Sequence, residues 1–240
     1  MLKKVLLITA LAFSACTSVE DVPLPFESSN EKATEFFNKA VNYIDQGEWQ
    51  EGRDNFQAAL RVDPNFIMAN MWGWSDDPVQ TRRYREAAIA NKENANEAEK
   101  IMIGMMEAGR EGKSSKRLEL VKELVNKYPS SSEAYVMLGN VYTGQDKLDD
   151  AIESYQNAIK VNPDNYNAWK QLARHHIVIG NNNMLPKDRQ DKSKAIQYAE
   201  EMLRIRPKAP NAHQYRANIE RQHSNFDEAN KLYQKMVDVC

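Results

Sequence analysis

The chain has 240 residues, and its 32 Lys and Arg nearly balance its 34 Asp and Glu. It lacks the cation excess that a phosphate backbone demands, so nucleic acid is excluded as an expected partner. Hydrophobic residues, at 42%, suffice for a core in one or two domains, and with only Cys16 and Cys240 neither a disulfide framework nor a four-cysteine zinc site is possible. Ala, Glu, Lys, Leu and Asn abound while alternating runs of Val, Ile and Thr are missing, so the expected fold class is all-α.

In chain order, Lys3 and Lys4 precede an apolar run from Val5 to Phe13, then the small Ser14 and Ala15, then Cys16. Basic, apolar and small segments in this order describe a secretory signal, and the apolar run is shorter than the roughly 20 residues that span a bilayer. Phe13-Ser14-Ala15-Cys16 resembles the lipobox of bacterial lipoproteins, with Phe13 where leucine is usual. The resemblance implies cleavage after residue 15 and lipid (palmitate) modification of Cys16. It also implies a membrane-anchored protein outside the cytoplasm. Ser18, where Asp would signal inner-membrane retention, points to the outer membrane. Residues 16–30, with Pro23, Pro25 and several Ser and acidic residues, are expected to be a flexible tether, and residues 31–240 the folded body.

Proline marks a repeat in that body. Pro129 and Pro163 lie 34 residues apart; Pro64 to Pro129 spans 65, and Pro163 to Pro207 spans 44. Between Ser132 and Pro163, the residues Tyr135, Leu138, Gly139, Tyr142, Ala151, Tyr155, Ala158 and Pro163 match the tetratricopeptide pattern at every diagnostic position. Gly139 and Ala151 allow two helices to approach closely, Leu138, Tyr142 and Tyr155 fill the space between hairpins, and Pro163 ends the second helix. Ala33 to Pro64 repeats the pattern with Phe36, Ala40, Tyr43, Phe56 and Ala59, carrying Gly52 in place of the usual Ala.

Three looser copies run from Glu97 to Pro129, from Tyr166 to Pro207 with an insertion at Gly180 to Asp191, and from Asn211 to Cys240. Ile67 to Lys92, with Trp72, Gly73 and Trp74 before Asp76-Asp77-Pro78, is expected to be a short hairpin with an early turn. The chain thus resembles the tetratricopeptide-repeat family over nearly everything after Asn30, which implies a superhelical solenoid of about six helical hairpins. The WxW-like hairpin and the following Glu99-Lys100-Ile101-Met102-Ile103 helix also resemble envelope tetratricopeptide lipoproteins of Bacteroidetes-type bacteria. That resemblance implies no activity.

Catalytic chemistry is not signalled. No phosphate loop and no nucleophile elbow appear. His175 and His176 are neighbours that point about 100° apart on a helix and do not chelate one ion, so no metal and no cofactor are expected. The insertion lacks the alternating oxygen ligands of a calcium loop.

Under the tetratricopeptide resemblance, the first helix of each hairpin lines a concave groove. The inward positions are Thr34, Phe37, Val41 and Ile44 near the start, then Val136, Asn140 and Thr143, then Lys170, Arg174 and Ile177, then Gln214, Asn218 and Arg221. The groove is expected to be apolar at its N-terminal end and polar to basic at its C-terminal end. Asn140, Lys170, Arg174 and Asn218 form the candidate partner-binding site: asparagine amides hold a peptide backbone while Lys and Arg grip a carboxylate, in a manner that resembles the carboxylate clamp of chaperone-binding relatives. The reading is a non-catalytic, lipid-anchored scaffold for protein partners. Two alternatives stand beside it: a dedicated outer-membrane or pilus assembly factor, and a small-ligand receptor or enzyme with a pocket at Trp72 to Trp74. A last hairpin without a capping helix would leave an apolar edge at Tyr233, Met236 and Val237 open to self-association.

Overall fold

The computed structural model describes residues 20–179, 182–183 and 185–239. Cys16 and the signal-like segment lie outside these residues, as does Cys240. Twelve α-helices are present among them, in six antiparallel hairpins: α1 (Glu31–Gln46) with α2 (Trp49–Val62), α3 (Ile67–Trp72) with α4 (Pro78–Ala90), α5 (Glu97–Arg110) with α6 (Ser114–Lys127), α7 (Ser132–Thr143) with α8 (Leu148–Val161), α9 (Tyr166–His175) with α10 (Lys192–Ile205), and α11 (Pro210–Gln222) with α12 (Phe226–Val239). Each hairpin packs on the next to form a tetratricopeptide-like solenoid, as the resemblance implied. Within the insertion, β1 (Val178–Ile179) pairs antiparallel with β2 (Asn182–Asn183).

Local chemistry explains most boundaries. The residues that close α2, α6, α8 and α10 are Asp63, Tyr128, Asn162 and Arg206, each directly before a proline and each at φ between −124° and −136°. The proline ring drives its predecessor out of the helical region, so these four prolines set where a hairpin ends. Helix starts are capped by Asn30, Asp77, Ser131, Asn165 and Asp191, whose side chains accept from backbone N–H groups of the first turn. Asn96 and Glu99 form a reciprocal capping box. Gly47 closes α1 at φ +88°, a conformation that favours glycine. At Gly139 a side chain would collide with the Tyr155 ring, which explains how α7 and α8 approach so closely.

The short α3 ends early because Gly73 begins an extended stretch, and Arg85 of α4 donates to the carbonyls of Asn70 (2.6 Å) and Gly73 (2.7 Å). A single guanidinium thereby satisfies helix-end acceptors left by the truncation. The early turn at Asp76-Asp77-Pro78 is as expected. One large core joins α1 to α7 through Phe37, Phe56, Phe66, Met68, Ile103, Val121 and Leu124. The later hairpins hold three smaller clusters.

The expected flexible tether is corrected over the part that the structure describes. Leu24 and Phe26 are each only 5% exposed and belong to the large core. Leu24 and Phe26 alternate with Pro23 and Pro25, so the segment is stiff and extended, with apolar side chains that lower their free energy by leaving water.

Candidate functional site

The four candidate residues sit on three successive first helices: Asn140 on α7, Lys170 and Arg174 on α9, Asn218 on α11. Asn140 Oδ1 accepts from the Tyr155 hydroxyl at 2.9 Å, and Asn218 Oδ1 accepts from the Tyr233 hydroxyl at 2.6 Å. Both pairs tie the first helix of a hairpin to its second. The same spacing of 15 recurs in each pair, a signal visible in the sequence.

Lys170 has an internal partner. Its ammonium meets Asp45 Oδ1 at 3.1 Å and the Asp45 carbonyl at 3.2 Å, with the two side chains 14% and 17% exposed. Asp45 lies in the last turn of α1, which carries no basic residue of its own. The late repeats supply the donors instead: Asn211 Nδ2 to the Asp45 carbonyl at 2.7 Å, and Arg206 Nη1 to the Asn42 carbonyl at 3.4 Å. Cations and amide donors are favourable at a helix C-terminus, where carbonyls lack partners. The contact brings the first hairpin against α9 and α11. Arg206 also stacks 4.6 Å over the Tyr166 ring, and the Tyr166 hydroxyl donates to Asn211.

Arg174 is different. It is half-buried and among the described residues forms no ion pair or hydrogen bond, and its charge acts on Tyr155, Tyr215 and His175. Burial pushes Tyr155 up to about 12, against the pull of its Thr143 contact and of Arg174. Burial also lowers the His175 pKa, and His175 Nδ1 donates to the Gln171 carbonyl at 2.7 Å. Its Nε2 lies 3.4 Å from Thr143 Oγ1, and burial together with the neighbouring Arg174 disfavours the charged ring. His176 faces elsewhere, accepting from Asp191 N at 3.1 Å. The two histidines do not converge, and among the described residues no three His, Cys, Asp or Glu side chains come together as a metal site.

The N-terminal end of the expected groove is filled. Phe37 is buried, stacked on Trp72 at 5.5 Å between centroids and packed on Phe56 and Phe66. Val41 and Ile44 pack on the same core, and Thr34 Oγ1 accepts from Ser28 N at 2.9 Å. Trp72 and Trp74 are half-buried and pack against this core, on Phe26 and Phe56 respectively. The nearby cleft between α2 and α4, about 390 Å³, is lined by Arg61, Arg83 and Tyr84 and by neither tryptophan.

Sequence reasoning missed Glu133, at the second position of the α7 repeat. Solvent reaches it, yet surrounding protein raises its pKa, and the charges of Asp21 and Asp45 raise it further against a hydrogen bond from Leu24 N. The groove therefore carries an acidic group as well as the basic Arg174. Among the described residues, no helix is long and apolar enough to cross a membrane.

Comparison with known proteins agrees with this architecture. The tetratricopeptide-repeat profile matches residues 132–165, the α7–α8 hairpin and its following turn. The chain is 22% identical over 195 residues to the mitochondrial import receptor subunit TOM70 of Mus musculus and to that of Rattus norvegicus, an alignment covering 80% of this chain and 26% of each receptor. It thus spans about a quarter of the length of these curated relatives. Among solved structures, a tetratricopeptide repeat protein from Parabacteroides merdae ATCC 43184 superposes with a TM-score of 0.50 at 14% identity, covering 87% of this chain and 80% of that one. The MamA protein aligns at a TM-score of 0.45 and 19% identity, covering 87% and 92%. The hairpins, the prolines that end them, the profile match and the likeness to the Parabacteroides merdae protein together identify the fold as a tetratricopeptide-like solenoid.

Proposed function

We propose that this protein is a lipid-anchored, non-catalytic adaptor of the cell envelope. In this reading it holds segments of partner proteins on the late hairpins, with Cys16 as the lipidated residue and the outer membrane as its site. The observation that carries the binding part is Arg174: a half-buried guanidinium that has no anion among the described residues and whose charge acts on Tyr155 and Tyr215. A charge in that position is stabilised when a carboxylate reaches it, and the planar fork suits bidentate contact. Asn140 and Asn218 each use the oxygen on a tyrosine, which leaves their amide donors without a partner among the described residues. Lys170 joins the site when the ligand's acid displaces Asp45.

The test is cross-linking of the lipidated protein in its native cells, comparing wild type with Arg174→Ala. Loss of the captured partners with the helical fold retained supports the site; unchanged capture removes Arg174 from it. Cys16→Ser tests the anchor independently, and the protein is expected to move from the membrane to the soluble fraction. A dedicated assembly factor would show one stoichiometric outer-membrane partner in the same experiment.

A further inference from the structure

The segment from Asp21 to Phe26 is held as a bound peptide is held. It runs from the α7–α9 side of the solenoid towards α3, crossing the starts of α7 and α5. Asp21 anchors one end: its carboxylate accepts from Ser132 N and Oγ, both at 2.8 Å, and from Asn162 Nδ2 at 2.7 Å. The backbone is then read along its length. Val22 N donates to the Ser130 carbonyl at 2.8 Å, and Asn96 Nδ2 donates to the Pro25 carbonyl at 2.6 Å. Phe26 N folds back to the Leu24 carbonyl at 2.7 Å, a tight turn at Pro25. Leu24 and Phe26 are buried, Phe26 in a T-shaped contact with Trp72 at 5.7 Å between centroids, while Val22 stays 53% exposed.

Backbone hydrogen bonds to an extended, proline-stiffened segment, with pockets for alternate side chains and one charged anchor, are the elements of peptide recognition. We infer that this cleft is a second recognition site, separate from Arg174. Its ligand class is an extended partner segment with a carboxylate, an aliphatic side chain three residues later and an aromatic one five residues later. The chain's own Asp21, Leu24 and Phe26 are its resident occupant. The complementarity is chemical at both ends: Ser132 and Asn162 donate to the acid, and Trp72 meets the aromatic ring in a T-shaped contact. A partner segment has to displace a tethered competitor, so occupancy depends on local release of residues 20–26. The inference rests on the reading of the solenoid as a holder of protein segments, but not on Arg174.

The experiment uses the full chain with the resident segment weakened by Asp21→Lys, Leu24→Ser and Phe26→Ser, and a fluorescent peptide of the sequence 19–28. Fluorescence anisotropy is expected to show saturable binding to this variant, at least about tenfold weaker binding to wild type, and loss of about tenfold or more when the peptide carries lysine for Asp21. A folded variant that does not bind the peptide overturns the inference. If the variant loses its helical circular dichroism, amide exchange of the wild-type chain decides. Exchange of the Val22, Leu24 and Phe26 amides at least about tenfold faster than the α7 core shows release without unfolding and supports the site, whereas exchange together with α7 makes the segment a fixed part of the fold and overturns it. Binding here that survives Arg174→Ala separates this site from the one proposed above.

Discussion

The first and last thirds of the solenoid use the same hairpin for opposite ends. In α1 to α4 the inner positions are apolar, and they are covered: Phe37 is closed in by Phe56, Phe66 and Trp72, with Leu24 and Phe26 laid over them. In α9 to α12 the core divides into small clusters, and polar or charged groups such as Arg174, Arg216 and Glu220 take positions between them. An apolar inner face gains free energy by being filled, while a charged one gains it by staying near water or finding an ion. The difference teaches that a concave face in such a stack remains available for binding only where its side chains do not reward closure.

The sharpest way to break the comparison is Phe37→Ala. Loss of the ring from the early core should cost about 3–5 kcal/mol in denaturant unfolding, with the late hairpins unfolding at their own, unchanged midpoint if the halves are separable. A single coincident transition would show that the halves are one cooperative unit.

Next comes Glu220, 5% exposed, in the late half. Burial alone would raise its pKa, but hydrogen bonds from Arg216, Lys192 and Asn225 lower it to about 2, below the ordinary 4.5. A depressed folded-state pKa contributes stability that is complete above pH 4.5 and is lost as pH falls towards 2. Glu220→Gln should destabilise the protein by about 3 kcal/mol at neutral pH and flatten the acid limb of stability against pH, because it leaves Arg216 and Lys192 short of their anion. An acid limb identical to that of wild type would mean that Glu220 is not the titrating group.

A smaller effect is expected at the resident segment. Asp21→Asn keeps the shape but replaces an ionised acceptor by a neutral one, and should cost about 1–2 kcal/mol, read as faster amide exchange at Val22 and Leu24. The smallest is the clasp between Asp45 and Lys170. A double-mutant cycle with alanine at both positions should give a coupling of about 1 kcal/mol or less that shrinks in high salt, since solvent still screens the pair. A larger coupling would mean that contact between α1 and α9 is a main support of the solenoid.

The repeat was legible because its signals are local. Pro64, Pro129, Pro163 and Pro207 end hairpins through their own ring sterics, Gly139 marks a close approach that Tyr155 occupies, and Asp77-Pro78 starts a helix by capping. The candidate site was legible only as a set of positions. Sequence offsets placed Asn140, Lys170, Arg174 and Asn218 on first helices, but not the hydrogen bonds that turn the two asparagine oxygens to Tyr155 and Tyr233 or the pairing of Lys170 with Asp45, 125 residues away.

Proline and acidic content alone made residues 16–30 read as a tether, because composition reports what a segment can do in water and not what surface it meets. Leu24 and Phe26 had no periodic pattern to announce them; the pocket that buries them is built by α1, α3, α5 and α7 together. By itself, then, the sequence determined the helices, their caps and the number of hairpins, since these follow from interactions within a few residues. Only the tertiary structure decided which inner face is filled, which cation is paired and which stays open, since those depend on side chains that the winding of the stack brings together from distant repeats.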